Sequence, residues 1–128
     1  MTVSSHLGQF YIGGAWVDPL PGATALGVEN PASEEIVGQV ALGTAADADR
    51  AIAAARAAFD AWTVTPLAAR IALVERILEV YNARYEEFAQ AMSTEMGAPI
   101  EWARGAQAWA GQVHIESTIA AAKEMVWE

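Results

Sequence analysis

The chain has no cysteine. Disulfides, thiolate metal sites and thiol catalysis are therefore excluded from these 128 residues together. Basic residues are also scarce: 7 Lys and Arg stand against 16 Asp and Glu, a formal net charge of −9. A field of that sign repels phosphate backbones and anionic lipid, so neither nucleic acid nor a membrane surface is expected as a partner. No apolar run approaches the ~20 residues needed to span a bilayer. The opening "MTVSSHLGQ" has neither the cationic start nor the apolar core of a signal peptide. The two histidines, His6 and His114, lack metal-ligand spacing. What remains is 54% hydrophobic, enough for a sizeable core and too much for an intrinsically disordered chain. A cytoplasmic location is expected.

Residues 1–8 read as a flexible tail. In "QFYIGGAWVD", Gly13-Gly14 separates Phe10-Tyr11-Ile12 from Ala15-Trp16-Val17. Two glycines between short β-forming runs suit a two-residue hairpin loop, where both central residues take positive φ. "PLPG", residues 19–22, breaks the ribbon. Residues 25–29 and 36–42 then flank Asn30-Pro31, an alternating pattern around a turn starter that predicts a second hairpin.

From residue 44 the period becomes helical. Thr44 and Asp47 have capping-box spacing. Ala48, Ile52, Ala55, Phe59 and Trp62 form one apolar stripe. Thr65-Pro66 predicts the start of a second helix, with Leu67, Ile71, Val74, Leu78, Tyr81, Tyr85, Phe88 and Met92 in register. Gly97 closes it and Pro99 follows. A third helix is expected from Pro99 to the last residue. It carries Trp102, Ala106, Trp109 and Val113 on one face, and Ile115, Ile119, Ala122 and Val126 on another. Gly105 and Gly111 inside it each cost about 1 kcal/mol relative to alanine, and mark close packing or a neighbouring ligand.

Few residues suggest chemistry. His6 reads as solvated tail and His114 as a surface or packing residue. Glu34-Glu35 and Glu86-Glu87 read as solvated charges, and "IGGAW" lacks the lysine and context of a phosphate loop. Trp16 and Trp62 read as core; Trp102 and Trp109, seven apart, suit either a core or a pocket. Glu95 stands out: a carboxylate at a helix C-terminus opposes the helix dipole, so it reads either as an exposed charge that costs little or as one that something cationic neutralises.

Four blocks, "FYIGGAWVDP", "VENPASEEIVGQVALGTAADADRAIAAARAAFDAW", "TPLAARIALVERILEVY" and "MSTEMGAPIEWARGAQ", stand in order over about residues 9–112. In that order and spacing they resemble the amino terminus of the NAD(P)-dependent aldehyde dehydrogenase superfamily. "MGAP" has Ala98 where Gly-Lys-Pro is commoner, and "NPASEE" departs from the usual Thr-Gly turn. The resemblance implies an α/β parent with a Rossmann-type cofactor domain. Residues 9–128 would be the N-terminal part of that domain: two β-hairpins followed by three α-helices, whose missing partners lie downstream.

The parent's expected reaction is oxidation of a small-molecule aldehyde to a carboxylic acid with NAD or NADP, in a homodimer or homotetramer. The cysteine nucleophile, the glutamate that activates water, the oxyanion-binding asparagine and the cofactor-binding segments would all lie beyond residue 128. No catalytic or cofactor-binding residue is therefore assigned in this chain, which is expected to be inactive alone. Two features carry over. A structural monovalent cation is implied at positions matching Val28, Glu29 and Glu95. The helix after Pro99 borders the substrate entrance, with Ala106, Trp109 and Ala110 as wall residues suited to an aromatic or bulky apolar aldehyde. The rival reading is a non-catalytic helical binding or regulatory module derived from such an enzyme.

Overall fold

A computed structural model of the chain describes residues 6–126. It divides into two compact units, one ending at Val64 and one starting at Thr65.

The first unit opens as expected. β1 (Phe10–Ile12) pairs with β2 (Ala15–Val17) in antiparallel register. Gly13 and Gly14 both take positive φ, 63° and 84°, which gives the loop the twist a two-residue hairpin needs. Of the tail expected over residues 1–8, residues 1–5 lie outside the described residues, while 6–8 form a turn. There the His6 ring stacks on Trp16 at 4.3 Å, and the Leu7 carbonyl accepts from Ala41 N–H. His6 is therefore packed against the hairpin. Trp16 supplies its platform while remaining about half exposed, and Trp62 is likewise not the core residue that its size suggests.

The second hairpin is longer than its sequence signal: β3 (Thr24–Asn30) pairs with β4 (Glu35–Leu42), with a register break between Val28 and Glu29. Its turn is built on Asn30, whose carbonyl accepts from Glu34 N–H at 2.7 Å and whose side chain accepts from Ala32 N–H. Glu34 has φ +60°, the left-handed region that costs an L-residue about 1–2 kcal/mol. The departure from a Thr-Gly turn is thus a real strain at one backbone position. Glu34→Gly is expected to stabilise the chain by about 1 kcal/mol, read as a shift in urea midpoint with unchanged slope. A midpoint that stays put or falls would mean the turn is not strained.

α1 (Ala45–Thr63) follows a complete capping box: Asp47 N–H donates to Thr44 Oγ1, and Thr44 N–H donates to Asp47 Oδ2 at 2.8 Å. The other carboxylate oxygen, Oδ1, accepts from Leu20 N–H at 2.9 Å. These N–H groups, Thr44 first and Leu20 second, hold the Asp47 carboxyl below its usual range. The side chain that caps the helix therefore also fastens the segment leaving the first hairpin, and Asp47 is only 4% exposed. The apolar stripe behaves differently from expectation. Ala48, Ile52, Ala55, Phe59 and Trp62 are all exposed. The helix turns its small side towards β1, where Ala54 Cβ would lie 3.8 Å from a Cβ built on Gly13. Close approach of small residues wins that contact and leaves the bulky stripe open.

In the second unit the long rod expected after Thr65 is broken. α2 (Leu67–Ala83) and α3 (Tyr85–Met96) meet at Arg84, whose N–H is shared between the carbonyls of Val80 and Tyr81 at 3.1 Å each. The break follows Asn82, a weak helix former. Pro66, not Thr65, stands at the cap of α2, with its carbonyl accepting from Arg70 N–H. Gly97 closes α3 in the left-handed conformation (φ 67°), as expected. Pro99 then leads into a short α4 (Ile100–Trp102), a wider π-turn (Ala103–Gln107) and α5 (Ala108–Glu124). The third helix is thus one run of chain with a change of pitch, and it stops before Met125. Trp127 and the final residue lie outside the described residues.

The core of this unit is Ala89, Ala103 and Ala108, flanked by Tyr85, Phe88, Met92 and Ile100. Two buried residues five apart would stand about 140° apart around an α-helix. The wide turn brings both Ala103 and Ala108 against α3. The Ile119 face of α5 packs on α2, so one of the two apolar faces is covered.

Candidate functional site

The wide turn and the first turn of α5 hold the residues expected at an entrance. Ala106 lies in the π-turn; Trp109 and Ala110 lie three and four residues further on, in α5. Trp109 is 53% exposed, with Ala106 and Ala110 half-buried beside it. Trp102 is 62% exposed. The π-turn inserts one residue into the helical count between the two tryptophans, so their spacing of seven no longer sets them one above the other.

The geometry of this segment is set by side chains from α2 and α3. Ala108 N–H bonds to Ala103 O, five residues back, instead of the Arg104 carbonyl that an α-helix would offer. Tyr85 O–H donates to that Arg104 carbonyl at 2.6 Å. Tyr81 O–H donates to Ala108 O at 2.8 Å. The Tyr81 ring stacks on Phe88 (4.4 Å) and meets Tyr85 edge-on (6.3 Å). Burial raises the Tyr81 phenol above its ordinary range, and Tyr85 adds to the shift. A Cβ at Gly111 would lie 2.3 Å from Tyr81 Oη, so the expectation of close packing holds at Gly111. Gly105 has open space around it. Both tyrosines read in sequence as members of an apolar stripe. Their hydroxyls are the part that bonds to the segment, and Gly111, opposite Tyr81, was the signal available for one of them.

Glu86, read as a solvated charge, is instead a partner of the turn. Arg104 Nε and Nη2 donate to Glu86 Oε2 and Oε1 at 2.9 and 2.6 Å, and Nη1 donates to Glu101 at 2.7 Å. The guanidinium, helped by Gln90 Nε2, holds the Glu86 carboxyl down from 4.5 to about 2 and raises Arg104 in turn. A depressed carboxyl stabilises the fold above its unfolded pKa and loses that contribution as pH falls through the folded one. The pair's contribution is therefore expected to be whole above pH 4.5 and to vanish towards about pH 2. Thermal melts of wild type and Glu86→Gln over that window should converge as pH falls; parallel curves would show the pair contributes nothing. Both side chains are partly solvated, so the effect is modest.

The cation positions are placed by separate units. Val28 and Glu29 flank the register break, where Val37 of β4 is passed over and the ladder is locally disrupted. Glu95 is exposed in the last turn of α3, one residue before Met96 and two before the left-handed Gly97. No group of three or more His, Asp or Glu side chains is placed to hold a metal among the described residues. His114 is exposed on α5, and its carbonyl accepts from Thr118 Oγ1. No helix among the described residues is long and apolar enough to cross a membrane. Leu67, Ile71 and Val74 of α2, with Ile119 and Ala122 of α5, line a mostly apolar cleft of about 300 Å³ that Thr65, Arg70 and Thr118 also border.

Comparison with known proteins gives this geometry its context. Residues 16–127 match the aldehyde dehydrogenase family. A 3-succinoylsemialdehyde-pyridine dehydrogenase from a Pseudomonas species is 44% identical over 107 residues, covering 83% of this chain and 22% of the relative. The solved structure of an aldehyde dehydrogenase from Bartonella henselae superposes with a TM-score of 0.89 at 43% identity, covering 92% of this chain and 25% of that one. A mutant aldehyde dehydrogenase C from Pseudomonas syringae, in complex with NAD+ and octanal, superposes at 0.91 and 43% identity over 97% of this chain and 26% of its own. The chain therefore spans about a fifth to a quarter of the length of these relatives.

Proposed function

We propose, from the premise that this chain belongs to the aldehyde dehydrogenase family, that it is the amino-terminal part of an NAD(P)-dependent oxidoreductase acting on an aldehyde. The observation that carries this reading is the match of nearly the whole chain, at 43% identity, to one end of a much longer enzyme solved with NAD+ and octanal. In the whole protein a cysteine thiolate would add to the aldehyde carbonyl. Backbone and amide donors would hold the oxyanion, and a glutamate would activate the water that releases the acid. NAD or NADP, when bound, supplies the hydride acceptor. All of those groups are proposed to lie beyond residue 128.

This chain's own part would be to border the path to that chemistry. Ala106, Trp109 and Ala110 would form an entrance wall, and one broad indole beside two methyl side chains suits an aromatic or bulky apolar aldehyde. The exposed stripe on α1 and the exposed Trp102 would supply surface for the rest of the protein to cover. Location in the cytoplasm and assembly as a dimer or tetramer belong to the same proposal.

Extending the gene sequence past residue 128 tests the reading. An open frame that reaches a cysteine, with NAD-dependent oxidation of octanal or benzaldehyde by its product, is expected. A stop codon at that point would overturn it in favour of a non-catalytic module. The implied cation is part of the same proposal, with the Glu95 carboxylate as one hard oxygen donor. Glu95→Gln in the whole protein is expected to abolish the difference in melting temperature between potassium and a large organic cation. A difference of the same size in the mutant would remove Glu95 as a ligand.

A further inference from the structure

We infer that Tyr85 is a positioning residue for the aldehyde entrance: its hydroxyl holds open the wide turn at Ala103–Gln107 and so sets where Ala106, Trp109 and Ala110 stand. The inference rests on the reading of those three residues as the entrance wall.

The turn is a choice between two hydrogen-bond partners. Ala108 N–H can reach back four residues to Arg104 O, as in an α-helix, or five to Ala103 O. It takes the longer step. That step withdraws the Ala108 amide from the Arg104 carbonyl, and Tyr85 O–H donates there at 2.6 Å. A carbonyl that loses its donor inside a packed segment is left with an unmet acceptor, so the hydroxyl weights the choice towards the wide turn. The two ends of the turn are separately anchored. Arg104 is clamped on Glu86 through two nitrogens. Beyond the turn, Tyr81 holds Ala108 O and closes over Gly111. Between these anchors, Tyr85 is the group whose bond belongs to the wide form.

The choice has a consequence for the wall. Conversion of the turn to α-helix would remove one residue from its count and rotate α5 by about 100° relative to α4. Ala106 lies within the turn and Trp109 lies after it. Their relation is fixed only while the turn is wide, and an incoming side chain would meet a differently shaped wall in the α form. Phenylalanine at position 85 keeps the ring that packs against the cluster of Ala89, Ala103 and Ala108 and removes only the donor.

The test uses Tyr85→Phe in the full gene product, with Trp109→Ala as the reference for the wall. The KM for an aromatic aldehyde is expected to rise by about tenfold in Tyr85→Phe, the range a lost apolar pocket contact supports. The kcat, and the KM for acetaldehyde, should stay at wild-type values. A crystal structure of the variant should show Ala108 N–H returned to Arg104 O. A variant structure that keeps the Ala108–Ala103 bond overturns the inference, whatever the kinetics. So does an unchanged KM in Tyr85→Phe where Trp109→Ala raises it, a result that leaves the entrance reading standing. If Trp109→Ala also leaves KM unchanged, the entrance reading fails and the inference with it.

Discussion

The purified 128-residue chain should oxidise no aldehyde, with either NAD or NADP. The proposed reaction begins with a nucleophile that adds to the carbonyl, and the chain has no cysteine to do so. No substitute is assembled among the described residues. His114 stands exposed on α5, where Thr118 bonds to its backbone carbonyl and not to its ring. Hydroxyl side chains here serve the helices: Thr44 caps α1, and Ser93 donates to the Ala98 carbonyl. Absorbance at the reduced-nicotinamide band, followed with aliphatic and aromatic aldehydes, should match a buffer blank. A rate proportional to chain concentration, surviving repurification, would mean that a second nucleophile exists here and that the proposed division of labour along the protein is wrong.

The second large effect is expected at the contact of Tyr81 with Gly111. Alanine at position 111 would place a methyl 2.3 Å from the phenol oxygen and 2.8 Å from the ring carbon bearing it. One of the two must move, and the phenol is tied to Ala108 O and stacked on Phe88. Overpacking of this kind costs about 1–3 kcal/mol. Tyr81→Ala removes the ring, its stacking and its hydrogen bond, for about 2–4 kcal/mol. The two changes should not add. Once the ring is absent, the methyl at 111 enters vacated space and regains the helix propensity that glycine forgoes. A double-mutant cycle on urea unfolding is therefore expected to give a coupling of about 1 kcal/mol or more, with the double mutant no less stable than Tyr81→Ala alone. Additive losses would show that Gly111 is needed for a reason other than the tyrosine.

Much of the architecture could be read from the sequence because local chemistry decides it. Gly13-Gly14, Asn30-Pro31, the Thr44–Asp47 pair and Gly97 each have a conformational job that few residues do as well, and each marks the boundary it was expected to mark. The departures come where partners distant in sequence decide. Nothing at Ala83-Arg84-Tyr85 forbids a helix, yet α2 and α3 part there, beside tyrosines engaged with carbonyls 19 and 27 residues downstream. The π-turn is invisible to any count based on a uniform period, since burial of both Ala103 and Ala108 requires the count to change midway. The stripe on α1 was legible as a stripe, but not as an open one, because periodicity reports which face is apolar and not what covers it. For the site, the positions of Ala106, Trp109 and Ala110 came from the resemblance. Tyr85 and the Arg104–Glu86 clamp came only from the structure, since the sequence shows Tyr85 as a member of an apolar stripe and Glu86 as a solvated charge, and Gly111 was the one trace of Tyr81.

Asp47 gives the first unit an unusual intolerance. Its two oxygens face opposite clients: Oδ1 serves Leu20 N–H, and Oδ2 serves the N–H and hydroxyl of Thr44. Asparagine has the same shape but only one acceptor oxygen, so its amide nitrogen would point a donor at another donor on whichever side it faced. Glutamate restores both acceptors on a stem one methylene too long for a site that is almost fully enclosed. Neither of the two most similar side chains satisfies the position. Asp47 is the buried charged side chain among the described residues, and its importance comes from accepting on both oxygens at once.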